Sequence, residues 1–588
     1  MKISNEVSTL NRSARRARAR ALGASGVLAV GGAGALLAAF AGSAGAAATI
    51  TVDSSGDGVA DAARCSDVVA GNCTLRDAAL AAVDGDIITF DAAVTSITLT
   101  EGTVNLNAIS LTGSGSANLA ITTTAAPDSY DLFEVGGTGD AVISGLSLSK
   151  NRIMFQQVGN GKLEDVVISG SGADYGAALY AGNDGDLEIV NSSFDENYAS
   201  SNGGAVYAYN SGSVTISGSS FTNNVADKGG ALFTTTEVTG TITISASDFS
   251  GNYAISDGGV AMLYSNGTSN LVINDSTFFE NSADSWAGAF YIMDSIVDVS
   301  IDGSTISGNS AASGAGGAYI ENSGELTIAN STISDNSTEG GAGALYLNSG
   351  GDATITNTVI SGNSAAEGAG GIKMSGDSLT INNSTITGNS ALYGGGLSLY
   401  YGSTVINQST IVGNTATGTS NGGGGVLLYD NAQLTLSGTI ISGNSSVVSG
   451  DDLALYGTVL EPLALYGTVL DADVTADNSL IGDVDSRITV SGSNNISATD
   501  PMVGALADNG GATMTMALLD GSPAIDAGPD PVVTFIGNEF DQRGLPFVRI
   551  YGTSADIGAF EAQPDPEPTT TTVAPGAATD PVVPAFTG

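Results

Sequence analysis

The chain contains no histidine. The commonest general base and the commonest transition-metal ligand are therefore missing. Charge is scarce as well: 13% of the 588 residues are Asp, Glu, Lys or Arg, too few for disorder driven by charge. Basic residues are the scarcest, 16 against 60 acidic, for a net charge of −44. Six of them (Lys2, Arg12, Arg15, Arg16, Arg18 and Arg20) stand in the first twenty positions, and none lies between Lys228 and Lys373. Such an acidic body repels nucleic acid and anionic membrane surfaces, so no nucleic-acid partner is expected. Proline is absent from Asp128 to Glu461. Cysteine occurs twice, at Cys65 and Cys73.

The basic residues mark an export signal. Arg12 to Arg20 form a basic region, Ala21 to Ala41 a Gly/Ala-rich apolar segment, and Ala44-Gly45-Ala46 a small-residue cleavage site. A transmembrane anchor is the alternative, but bulky apolar residues are few there. Residues 1–46 are thus expected to be removed. The mature chain is expected to be secreted or held at the cell surface, with no membrane-spanning helix. In that compartment Cys65 and Cys73 are expected to form a local disulfide.

What the chain has is repetition. An asparagine preceded three residues earlier by Phe or Ile recurs at Asn197, Asn224, Asn252, Asn281, Asn309, Asn336, Asn363, Asn389, Asn414 and Asn444, 25 to 30 residues apart. Ten copies at one period indicate a repeat architecture. Each copy carries three short apolar runs, such as Leu326-Thr327-Ile328, the Phe/Ile segment, and a run after paired glycines such as Gly317-Ala318-Tyr319-Ile320. Runs this short, bounded by Gly, Ser and Asn, read as strands.

The expected fold is all-β: a right-handed parallel β-helix with three-strand coils of ~27 residues. An N-terminal cap and a C-terminal β-rich capping domain complete it. Central strands need their N–H groups on the ladder, which accounts for the proline-free stretch. At ~4.8 Å per coil the rod is on the order of 70 Å long. The asparagines are expected to form a hydrogen-bonded ladder and the phenylalanines an internal stack. The expected divisions are a cap over 47–85, coils over 86–485, a C-terminal domain over 486–562 and a Pro/Thr-rich tail over 563–588. One octapeptide, LALYGTVL, occurs in tandem at 453–460 and 463–470.

Phe-x-x-Asn followed by Gly-Gly-Ala/Val/Leu resembles the repeats of polymorphic outer membrane proteins and, more broadly, bacterial surface β-helices with a pectin-lyase-like fold. "CTLRDA" (Cys73 to Ala78) resembles the CSLREA segment that opens many such secreted proteins. "GALADNGGATMTMALLDGSPAIDAG" (Gly504 to Gly528), "DQRGLP" (Asp541 to Pro546) and "DIGAFE" (Asp556 to Glu561) resemble a choice-of-anchor domain. These resemblances imply a secreted or surface protein without defining an activity.

Several residues are candidates for function. Phe290, Tyr319, Tyr400 and Tyr429 are expected to face outward, where aromatic rings grip cell-surface glycans or a protein partner. Asp53, Asp57 and Asp61 stand four apart around a glycine and are a candidate calcium site; Gly450-Asp451-Asp452 is a weaker one. No cofactor is required. Lys373 is the one basic residue across the middle of the coils. It is expected to lie between Tyr346 and Ser398, without the acidic partners a polysaccharide lyase needs. The threonines at 215, 243, 327, 354, 380 and 435 are expected to form one outward column. The reading is a non-catalytic surface rod for adhesion or spacing. A polysaccharide-active enzyme on the same scaffold and a calcium-stabilised surface-layer component are the alternatives.

Overall fold

A computed structural model of the chain describes residues 47–563, apart from 66–71, 125–130, 457–472 and the loop positions 210–211, 265–266, 268, 294–295, 323, 349, 420, 430 and 449. The export segment, the tail beyond residue 563, the end of the first octapeptide copy from residue 457 and the whole second copy lie outside the described residues. The first copy opens with a sheet strand, Leu453–Leu455. No helix among the described residues is long and apolar enough to cross a membrane.

The strands Ser269–Asn274, Thr277–Phe279, Ser282–Trp286 and Phe290–Ile292 make one representative coil. Each pairs in parallel with its counterpart in the next coil: Leu271 opposite Val299, Phe278 opposite Ile306, Ala283 opposite Ala311, and Tyr291 opposite Tyr319. Three long parallel sheets result. Sheet A has 31 strands and takes the first two strands of each coil, sheet B has 14 and takes the last, and sheet C has 11. Fourteen strands at ~4.8 Å make a stack roughly 60 Å long.

A middle coil thus has four strands rather than the expected three. The additional one, in sheet C, is made of small residues such as Ser310–Ser313, SAAS. Ala and Ser have little strand preference. Parallel pairing above and below holds this segment extended, and a single coil cannot reveal that.

Bends between strands use left-handed backbone, at Asp275, Glu280 and Ala287 in this coil (φ 48°, 52° and 61°). Such conformations cost an L-residue free energy. Side-chain ladders offset the cost. Asn309 Nδ2 donates to Phe278 O at 3.0 Å and Asn336 Oδ1 at 2.9 Å, and its Oδ1 accepts the Asn281 N–H at 3.0 Å and Nδ2 at 2.9 Å. The pattern runs from Asn197 to Asn444, with every member buried. At its end Asp452 Oδ1 accepts both the N–H and the Nδ2 of Asn444.

A second ladder was not foreseen. The backbone N–H of Ser276 donates to Ser304 Oγ at 3.2 Å, and that of Ser304 to Ser331 Oγ at 3.1 Å. Ser192, Ser219 and Ser247 precede them, and Thr358, Ser384, Ser409, Thr439 and Ser479 continue it. The signal is in the sequence: from Ser192 to Thr439 these residues stand five before the asparagine, as Ser304 before Asn309. The abundance of serine hides it.

Inside, Phe194, Phe221, Phe249 and Phe278 stack at centroid spacings of 4.6, 4.6 and 5.2 Å. At the N-terminal end Cys65 is joined to Cys73. A helix, Leu75–Ala81, follows, with Thr74 and Asp77 forming a capping box.

Residues 473–497 still pair with the coils, through Val490–Ser491 and Ile496–Ser497. The lobe that follows has a single two-stranded pair, Val503–Ala507 with Thr515–Leu518, and little other sheet. It lies along the flank of sheet A. Thr385 Oγ1 donates to Gln542 Oε1 at 2.6 Å, and the Ala559 N–H to Thr410 Oγ1 at 3.0 Å. The reason is local. The outward residues Val412, Ile440 and Leu480 are apolar and pack against Met516, Ala524 and Ile557.

Candidate functional site

One outward column of sheet B departs from the Ser/Thr surface typical of the coils. In register it reads Tyr180, Tyr207, Phe233, Met262, Tyr291, Tyr319, Tyr346, Lys373, Ser398. Ring centroids are 5.3 Å apart for Tyr180–Tyr207, 5.5 Å for Tyr207–Phe233, 5.2 Å for Tyr291–Tyr319 and 4.9 Å for Tyr319–Tyr346. Trp286, on sheet C, closes edge-on against Tyr319 at 5.1 Å. A cation stands over each end: Arg152 is 5.5 Å from the Tyr180 ring and Lys373 4.4 Å from the Tyr346 ring.

Burial and neighbouring phenols push the Tyr207 hydroxyl up to about 12. Burial and the nearby Asp257 carboxylate raise Tyr291 to about 12. Both therefore stay protonated and neutral through the physiological range. The rings from Tyr180 to Phe233 spend their faces on one another. A ligand along that stretch meets ring edges, and open faces remain only where stacking stops.

Stacking stops at the N-terminal end of the column, where sheet C begins. The first strand of that sheet, Gly172–Tyr175, is an edge paired only with Tyr198–Asn202. A cleft of about 300 Å³ opens there, lined by Asp131, Arg152, Gly172, Ala173, Asp174, Tyr175 and Tyr180. Arg152 forms an ion pair with Asp131 and donates through Nη1 to Tyr175 O at 2.6 Å. Asp174 accepts the Ser200 hydroxyl at 2.6 Å. Sequence reading missed this site because Asp131 and Arg152 come from the two coils before the one that carries Gly172–Tyr175 and Tyr180, and nothing in the repeat motif links them.

The family model for a right handed beta helix region matches residues 133–295, 237–416 and 299–500. Together these spans cover 133–500, more than half of the chain. The chain belongs to the right-handed β-helix family. No curated protein matches it in sequence. Among solved structures, an alginate lyase of the PL6 class in complex with a trisaccharide is similar at 13% identity and a TM-score of 0.29, over 77% of this chain and 96% of the lyase. A pectate lyase, Pel9A, is similar at 13% identity and a TM-score of 0.27, over 88% and 97%. Likeness at this level carries nothing about activity.

On this β-helix the four aromatic candidates part company. Phe290 is fully buried in the core, contrary to the outward placement expected. The glycine pair slips by one residue between coils: Ala289, directly after Gly288, takes the corner place that Gly317 takes in the next coil, as the Ala289 N–H donating to Gly317 O shows. Counting from the glycines therefore puts Phe290 on the wrong face. Tyr291 is the outward residue, and counting strand by strand also recovers Tyr207 and Phe233. Tyr319 does lie in the outward column but is only 8% exposed, packed among Trp286, Tyr291 and Tyr346. Tyr400 and Tyr429 follow their strands at the turn and stack on each other at 3.9 Å, with Tyr456 4.2 Å beyond.

The aspartates serve the cap separately. Asp53 accepts the Cys73 N–H, Asp57 pairs with Arg76 and accepts the N–H groups of Thr100 and Glu101, and Asp61 accepts the Ala63 N–H. Burial opposes ionisation of Asp57, but those donors and Arg76 hold its carboxyl below the usual range. No group of three acidic or sulfur ligands suited to a metal occurs among the described residues. Asp452 ends the asparagine ladder, and Asp451 accepts the Ser446 N–H. Lys373 lies between the rings of Tyr346 and Tyr400, 4.4 and 4.9 Å away. Thr215 pairs with Thr243, and Thr327 with Thr354, in the outward threonine column.

Proposed function

We propose that the chain is exported and acts at the cell surface as a non-catalytic β-helical rod, in adhesion or as a spacer. The observation that carries this reading is where the polar chemistry is spent. Asn309, Ser304 and their equivalents are consumed in ladders that tie each coil to the next. Lys373 is engaged with two rings rather than with a carboxylate. The basic, Gly/Ala-rich N-terminus, the CSLREA-like segment and the choice-of-anchor-like segment support the surface location. A rod cross-linked in this way resists bending and holds its outward residues at fixed spacing, which suits presentation of a contact surface.

One feature favours the second reading, a polysaccharide-active enzyme: the cleft at Arg152 places a guanidinium and two aspartates beside two tyrosines. Arg152 is already engaged by the Asp131 carboxylate and by Tyr175 O, which fits a donor to sugar hydroxyls better than the base a lyase needs. The deciding experiment exposes residues 47–588 to a glycan array beside a broad polysaccharide-degradation assay. Binding without product supports the adhesin. A new reducing end or unsaturated product overturns the non-catalytic reading.

A further inference from the structure

We propose that the ledge where sheet C begins is a binding site for one neutral pyranose ring of a glycan. This rests on the adhesion reading and gives it a location. A pyranose has an apolar C–H face and a rim of hydroxyls that both donate and accept. The ledge supplies a partner for each. Tyr175 is 41% exposed, and its contact with Tyr207 is tilted by 58°, so its ring does not spend a face in parallel stacking. Around it stand acceptors of hydroxyl protons, the carboxylates of Asp174 and Asp131, and a donor to hydroxyl oxygens, the guanidinium of Arg152. The edge strand Gly172–Tyr175 has a strand partner on one side only, which turns further peptide groups toward the cleft.

The elements that build the site are rigid. Arg152 is fixed from below by Asp131 and from above by Tyr175 O, and Asp174 by Ser200. The volume, about 300 Å³, is at the small end for ligand sites and suits one ring rather than several. Charge selects among sugars. Two carboxylates against one guanidinium leave the ledge negative, in a chain of net charge −44. Uronates, sulfated sugars and phosphates are disfavoured there, and neutral hexoses are favoured.

The test is calorimetric titration of the chain over residues 47–588 with short neutral oligomers of glucose, mannose, galactose and N-acetylglucosamine, and with oligogalacturonate. At least one neutral oligomer is expected to bind and oligogalacturonate is not. Tyr175→Ala should weaken binding roughly tenfold or more, the scale of losing an aromatic anchor. Asp174→Asn, nearly isosteric, should weaken it roughly fivefold, and Tyr401→Ala, outside the ledge, should leave it unchanged. Thermal melts of each variant separate lost binding from lost fold. Neutral-glycan binding that survives both ledge variants overturns the site while the adhesion reading stands. Preference for oligogalacturonate, or no binding by any sugar, also overturns it, the latter leaving protein adhesion and spacing intact. Degradation products overturn the adhesion reading itself.

Discussion

Asn309 offers the sharpest test of how the coils are held. Its side chain is fully buried and makes four hydrogen bonds, two given and two received. Asn309→Ala removes all four at once. The Asn281 N–H, whose acceptor is Asn309 Oδ1, is then left in the interior. At a net value of about 1 kcal/mol per bond, with about 1–3 kcal/mol for a buried unpaired donor, the loss is about 5–7 kcal/mol. Asn309→Asp separates the contributions. It keeps an acceptor for Asn281 but turns an oxygen toward Phe278 O and Asn336 Oδ1. It should be at least as damaging as alanine at neutral pH and recover toward acid, as the carboxyl protonates. Urea unfolding followed by the fluorescence of Trp286, the single tryptophan, measures both. Trp286 lies in the preceding coil, so its signal reports the interface in question. A cost below about 1 kcal/mol for Asn309→Ala with the fold retained would refute the reasoning, because it would assign the stacking to the aliphatic and phenylalanine core alone.

Three further outcomes are expected. Asp452→Ala removes the acceptor that ends the ladder and the one that holds the Asp483 N–H; a loss of about 2–4 kcal/mol should appear in thermal or urea unfolding, while Asp451→Ala costs clearly less. Gly314→Ala is strained twice, since Gly314 has φ +63° and an added Cβ would lie 2.5 Å from Trp286 Cε3. The indole must move, and a shifted Trp286 emission maximum with a lowered melting temperature is the readout. Burial, with Asp556 nearby, raises the Glu561 carboxyl from 4.5 to about 7. The folded lobe therefore holds a proton that the unfolded chain has released, so this group's contribution to stability is fully present below pH 4.5 and is lost as pH rises through 7. The loss is at most about 3 kcal/mol. Glu561→Gln should flatten this slope in melts of the lobe between pH 4.5 and 8; a slope unchanged from wild type would assign it to other groups.

The coil was legible because its information is local and repeated. A Phe or Ile three residues before an asparagine, recurring every 25 to 30 residues, places one residue inside and one on a ladder at the same point of each turn. In-register parallel stacking then follows, since identical side chains pair best with themselves. The absence of proline agreed, because every central strand donates on both sides. The serine ladder was present at the same fixed offset, but serine elsewhere in the coil masked it.

The facing of Phe290, the docking of the lobe and the ledge could not be read this way. Phe290 depends on a one-residue slip at a corner, and with a side-chain period of two such a slip exchanges inside for outside. The lobe depends on contacts across 157 residues, between Thr385 and Gln542, where an apolar strip on the coils meets apolar residues with no shared motif. The ledge exists because sheet C begins several coils after sheets A and B, and a sheet's starting point is a property of neighbours. Periodicity in the chain determines what repeats; the irregularities, where a ligand or a second lobe can settle, arise only when coils are laid against one another.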